Sequence, residues 1–168
     1  AEDTATVDLL SNGRFDLGVG LGYRRKEFAD QGISHAERGA RLNEGIALIQ
    51  RLLADEEVTF DGKFSKLKEI RIVPPAVQRP HPPIVVTAVA PFSKGVTEAA
   101  ARGWEPISAN FLMPQWVKSH WPKYAEGCER AGRPADPANW RVAKSILVAD
   151  DDKTARAYAT DPNSPYRF

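Results

Sequence analysis

The stretch GRFDLGVGLGYRRKEF, residues 13 to 28, places glycine at every second position: Gly18, Gly20 and Gly22. Glycine in such a pattern suits a loop that cradles phosphate with its N–H groups, a strand face kept bare for something large, or a turn. The dinucleotide readings demand fixed spacing. A Rossmann fingerprint runs G-x-G-x-x-G from a strand straight into a helix, with an acid about 20 residues later. Here the spacing is G-x-G-x-G, and YRRKEFADQGIS intervenes before the next helical pattern. A G-x-x-x-x-G-K-[ST] phosphate loop occurs nowhere in the chain, so both readings fail on spacing. Phe15, Leu17, Val19 and Leu21 fall on one face, and Asp16, Gly18 and Gly20 on the other. That alternation is a strand. Two explanations of its bare face stay open: a bulky neighbour fills it, or a flat ligand lies against Gly20 and Gly22 at the strand's carboxyl end, where α/β folds place their sites.

The other chemistry-bearing residues are scattered. His35, His81 and His120 show no metal-ligand spacing and read as structural or exposed. No metal site and no clear acid–base residue is expected. Trp104, Trp116, Trp121 and Trp140 lack an accompanying basic stripe and read as packing, and Cys128 as a buried core thiol.

The elements that must position these residues alternate. A helical start precedes the first strand, expected over residues 14–21. SHAE offers a capping box, Ser34 with Glu37, for a helix whose stripe is Leu42, Ile46, Ile49 and Leu53. EVTFDGKFSKL predicts a hairpin turning at Asp61-Gly62. Further strands are expected over 84–89, 105–109 and 141–148, each followed by a helix, the last under an Asp cap. Ser93 opens one of these helices and Gly103 closes it. Alternating β and α argues for a parallel sheet carrying helices.

The 168 residues are enough for one domain with a real core. The 23 basic and 22 acidic residues nearly cancel, which removes the ground for a nucleic-acid partner. No apolar run approaches a membrane span. A single cysteine rules out an internal disulfide and suits a cytoplasmic protein.

Through LLSNGRFDLGVGLGYRRKEFADQGI, ERGARLNEGIALIQRLL, VTFDGKFSKLKEIRIVPPAVQRPHPPIVVTA and ARGWEPISANF, in that order, the chain resembles the bacterial luciferase-like flavin monooxygenases. The resemblance implies a partial TIM (β/α)8 barrel with a small β-hairpin insertion. The whole chain, 1–168, would be one barrel domain, cut at both ends and holding the fourth to seventh strands. It implies reduced FMN, supplied by a flavin reductase, and O2 acting on a small organic substrate; deazaflavin F420 is the close variant. A truncated, non-catalytic flavin-binding or assembly module is the alternative.

By the same resemblance, Gly20 faces the flavin ring with Gly22 beside it, and Leu21 stands where the family has a phosphate-binding arginine. Tyr23, Arg24 and Arg25 either supply that charge or are solvated. Val89, Ala90 and Ser93 match the flavin-phosphate positions, Ser93 being otherwise a plain helix cap, and Ser108 matches a pocket-lining one. Arg41 and Glu44 match a structural ion pair. Unpaired edges of a partial barrel lead to the expectation of a homo-oligomer, most simply a dimer.

Overall fold

The computed structural model describes residues 1–54 and 57–164. They fall into two compact units, Ala1–Val86 and Thr87–Phe168.

In the first unit, helix α1 (Glu2–Leu10) leads to strand β1 (Leu17–Val19), which pairs in parallel with the first three residues of β4 (Ile84–Ala88), Leu17 opposite Ile84 and Val19 opposite Val86; the last two residues of β4 belong to the second unit. β1 is shorter than the expected 14–21, and the reason is chemical. The Leu17 N–H donates to the Pro83 carbonyl at 2.8 Å. Pro82 and Pro83 have no N–H to return, so the ladder cannot extend backwards. Beyond Val19 the glycines weaken the strand, and Gly22 takes φ +71°, a left-handed conformation that favours glycine.

The polar stretch after β1 holds a helix that periodicity missed, α2 (Arg25–Asp30), stapled by Lys26 to Asp30 at 2.9 Å. The Ser34 capping box does not form: Ser34 makes no side-chain capping bond. The Glu37 carboxylate instead pairs with Arg41 at 3.1 Å and Lys63 at 3.0 Å. Two cations outbid one backbone N–H.

Helix α3 (Arg38–Leu53) buries Ile46, Leu48, Leu52 and Leu53. Leu48, Leu52 and Leu53 share a core with Ala5, Val58, Ile72 and Ala76, and Ile49 packs against its edge. Strands β2 (Val58–Asp61) and β3 (Lys66–Ile70) form the antiparallel hairpin. Its turn is wider than two residues, because Glu44 organises it. The Glu44 carboxylate accepts the N–H groups of Lys63 at 2.9 Å, Phe64 at 2.9 Å and Ser65 at 2.8 Å. A Cβ on Gly62 would strike the Phe60 ring and stand 2.6 Å from that carboxylate, so a side chain there would have to displace both. The expected Arg41–Glu44 pairing is thereby replaced: Arg41 goes to Glu37 and lies over the Phe64 ring, 4.4 Å from its centre.

Asp8 is fully buried in this unit. Its carboxylate accepts the N–H groups of Val77 at 2.7 Å and Gln78 at 2.9 Å, and the Gln78 side-chain amide at 2.7 Å. Burial alone would raise its pKa above the ordinary 3.8, but those donors and the Arg79 charge outweigh it and hold the group below that value.

In the second unit the Ala109 N–H donates to the Ala88 carbonyl at 3.1 Å, and β5 (Glu105–Ser108) pairs in parallel with β6 (Arg141–Val142). β6 falls short of the expected 141–148. Its partner ends at Ser108, opposite Val142, so nothing remains to pair with. Helices α4 (Lys94–Ala101), α5 (Pro114–Arg130) and α6 (Asp152–Thr160) follow the strands. Gly103 at φ +79° closes α4, and Asp151 caps α6 by accepting the Thr154 N–H at 2.7 Å. Ala88, Val96, Ala100, Tyr124 and Cys128 form the core, with Trp121 and Trp140 packed on it. At Gly127, α5 comes so close to α4 that a Cβ would strike the Thr97 carbonyl and stand 2.6 Å from Ala100 Cβ.

Two outcomes follow from these contacts. Asp8→Ala leaves buried N–H groups unpaired and should cost about 3 kcal/mol in denaturant unfolding at neutral pH. Because the folded carboxyl titrates low, its contribution is complete above 3.8 and disappears as pH falls through the folded value. Stability measured against pH should therefore drop below that point in the parent and drop less in Asp8→Asn. Gly127→Val should cost about 3 kcal/mol or more, since backbone must move to admit the side chain, read as a lowered melting temperature.

Candidate functional site

The glycine face is open. A Cβ built on Gly18 or Gly20 meets nothing within 4 Å. A Cβ at Gly22 would touch the Phe28 ring at 3.0 Å. Leu21 is 48% exposed and Tyr23 78%. Arg24 lies over the Tyr23 ring, 5.5 Å from its centre, and pairs with Glu27 at 3.3 Å. The four expected residues of this stretch are thus gathered at the end of β1, with the Arg24 charge already engaged by its neighbours.

The remaining expected residues lie in the second unit. Val89 and Ala90 follow β4 and are exposed; Ser93 occupies the N-cap of α4 without a side-chain capping bond. The first N–H groups of a helix have no partner within it, and their dipoles favour an anion. Ser108, at the end of β5, is fully buried. Its hydroxyl oxygen accepts the Trp140 indole N–H at 3.0 Å and lies 2.8 Å from His120 Nδ1.

His120 and Ser119 are the residues that sequence reasoning did not connect to this region. His120 Nε2 donates to the Ala90 carbonyl at 2.8 Å, and Ser119 Oγ accepts the Phe92 N–H at 2.8 Å. A signal existed: position 120 follows Val117 by three residues and precedes Tyr124 by four, so it lies on the buried stripe of α5. A histidine there must find partners.

The other histidines are structural. His35 meets Phe28 edge-on at 5.1 Å; burial, then the charges of Arg38 and Arg25, lower its pKa. His81 bonds Gln50 and the Pro82 carbonyl. Trp104 and Cys128 are buried as expected, whereas Trp116 stays 36% exposed. Among the described residues no group of three metal-ligating side chains gathers, and no helix is long and apolar enough to cross a membrane. Two surface concavities, one between Ser145–Leu147 and α6, the other along Pro122, Glu126 and Arg133, involve none of the expected cofactor residues.

Comparison with known proteins gives this arrangement a context. The 4-hydroxyprotoasukamycin monooxygenase of Streptomyces nodosus subsp. asukaensis is 32% identical, matched over 99% of this chain and 46% of its own length. The F420-dependent hydroxymycolic acid dehydrogenase of Mycobacterium tuberculosis is 31% identical over 94% of this chain and 42% of its own. Among solved structures, the oxygenating constituent of 3,6-diketocamphane monooxygenase from Pseudomonas putida, in complex with FMN, superposes with a TM-score of 0.82 at 22% identity, over 97% of this chain and 48% of that one. That likeness shows the fold: parallel strands alternating with helices, corresponding to about half of the TIM barrel of luciferase-like enzymes. The chain spans about half the length of these relatives. The family model for luciferase-like monooxygenases matches residues 1–167, and with alternating β and α elements, an open glycine face and a helix start beyond β4, the chain belongs to that family.

Proposed function

We propose that the protein acts as a flavin-dependent monooxygenase, using reduced FMN from a flavin reductase together with O2 to oxidise a small organic substrate. The observation that carries this reading is the open face at Gly20, where a planar ring meets no side chain within 4 Å of a Cβ. Leu21 offers apolar surface beside it, and Gly22 turns the backbone away in a conformation only glycine adopts cheaply. In the second unit, the uncapped start of α4 at Ser93 suits a phosphate, with Val89 and Ala90 contributing backbone only. Taken each by itself, the Gly20–Gly22 face suits a planar ring and the α4 start suits a phosphate.

Reduced flavin, when bound, supplies the electrons and the oxygen chemistry. The chain's own part is to bind, to orient and to keep water from the ring. The relatives named as F420-dependent support a second reading, in which a deazaflavin takes the same positions. Pairing with a second copy along β1, the outer strand of the sheet among the described residues, belongs to the proposal.

Titration of the protein with FMN and with F420, followed by fluorescence, tests this. The parent should bind one of them saturably. Gly20→Phe should abolish that binding while the fold survives, because the space it fills is open. Ser93→Ala should weaken binding by about 1.5 kcal/mol, the lower end for one hydrogen bond to a charged group. A Gly20→Phe variant that binds like the parent would put the ring elsewhere. A parent that binds neither cofactor would leave the non-catalytic module as the function.

A further inference from the structure

The connection between β4 and α4, residues 89–93, is held by two consecutive residues of α5. Ser119 donates its O–H to the Trp116 carbonyl at 2.6 Å, which fixes the hydroxyl and leaves a lone pair for the Phe92 N–H at 2.8 Å. His120 reaches the Ala90 carbonyl through Nε2 at 2.8 Å. A carbonyl only accepts, so Nε2 carries the hydrogen. On the other side of the ring, Nδ1 lies 2.8 Å from Ser108 Oγ, which the Trp140 N–H approaches at 3.0 Å. An indole only donates, so the hydrogen of Ser108 is free to serve Nδ1. Donors then run in one direction: Trp140 to Ser108, Ser108 to His120, His120 to Ala90.

The clamp is buried and its cargo is not. His120 and Ser108 are fully buried and Ser119 is 6% exposed, whereas Phe92 is 67% exposed. Phe92 also sits at φ +49°, a left-handed conformation that residues with a side chain rarely choose. Local preference does not produce this backbone. The bonds on either side of Pro91 impose it, at the Ala90 carbonyl and the Phe92 N–H.

We propose that Ser119 and His120 are positioning residues that preset the 89–93 connection, so that the first N–H groups of α4 present a fixed set of donors to a flavin phosphate. This rests on the flavin reading above and adds to it the residues that order the phosphate-binding segment before the ligand arrives. Ordering completed during folding is not charged again on binding, which raises affinity for the phosphate-bearing ligand.

The test compares FMN with riboflavin, which share the ring system and differ by the phosphate. The full chain and its Ser119→Ala, Ser119→Thr and His120→Phe variants are titrated with each, and exchange of the Phe92 amide is followed by NMR without ligand. The parent should prefer FMN. Ser119→Ala should lose about ten-fold in FMN affinity, the scale of one hydrogen bond and the ordering it supports, while riboflavin affinity holds and the Phe92 amide exchanges faster. Ser119→Thr, which keeps the hydroxyl, should restore both. His120→Phe, which fills the same space without its bonds, should show the same selective loss. FMN affinity unchanged in Ser119→Ala and His120→Phe overturns the inference, as does equal loss for FMN and riboflavin. A parent that binds both equally well also overturns it while leaving flavin binding intact. A parent that binds neither, nor F420, defeats the flavin reading itself and this inference with it.

Discussion

The first unit depends on satisfying one buried charge. A carboxylate removed from water is costly unless donors replace its hydration. Asp8 meets that condition with two backbone N–H groups and one side-chain amide from Val77 and Gln78. Gln78 then passes the constraint on, because its side-chain amide also donates to the Phe15 carbonyl at 2.6 Å. The end of α1, the proline-rich segment and the lead-in to β1 are thereby tied at one point. With that point fixed, the Pro83 carbonyl meets the Leu17 N–H, and the parallel register of β1 against β4 follows. The net worth of such bonds in the intact protein is modest, while the cost of leaving a partner unpaired is large. Their role is therefore to exclude other registers more than to add stability.

Much of this was legible in residue order. The alternation of Phe15, Leu17, Val19 and Leu21 marks a strand, the Ile46 and Leu53 stripe marks a half-buried helix, and Gly103 marks a helix end, since each signal is local and recurs every two to four residues. Strand lengths were not legible, because a ladder stops where its partner stops. β6 ends at Val142 although ILV, at 146–148, looks like strand; Ile146 and Val148 are 83% and 84% exposed. The polar anchors were hidden for the same reason. Glu44 finds its donors about twenty positions away in the hairpin, Asp8 about seventy away, and His120 thirty away. No pattern within one segment announces a partner at such a distance. The Ser34 capping box shows the converse error: a correct local motif lost to Lys63, a residue far along the chain.

The candidate site divides its labour in a way that explains why it was only half visible. The positions expected to touch a cofactor carry little chemistry of their own: Gly20 and Gly22 have no side chain, and Val89 and Ala90 have no polar one. What they offer is backbone and open space, and backbone binds a ligand selectively only if its conformation is fixed. For the connection after β4, the side chains that hold Ala90 and Phe92 are Ser119 and His120 of α5, inward-facing polar residues on a stripe otherwise apolar. Arginine or threonine at the contact positions would carry binding information in its own side chain. Where those positions are reduced to glycine, alanine and valine, the information moves to whatever holds the loop. A buried serine and histidine with every hydrogen bond directed are suited to that task, because neither can turn away without leaving a polar atom unpaired in the core.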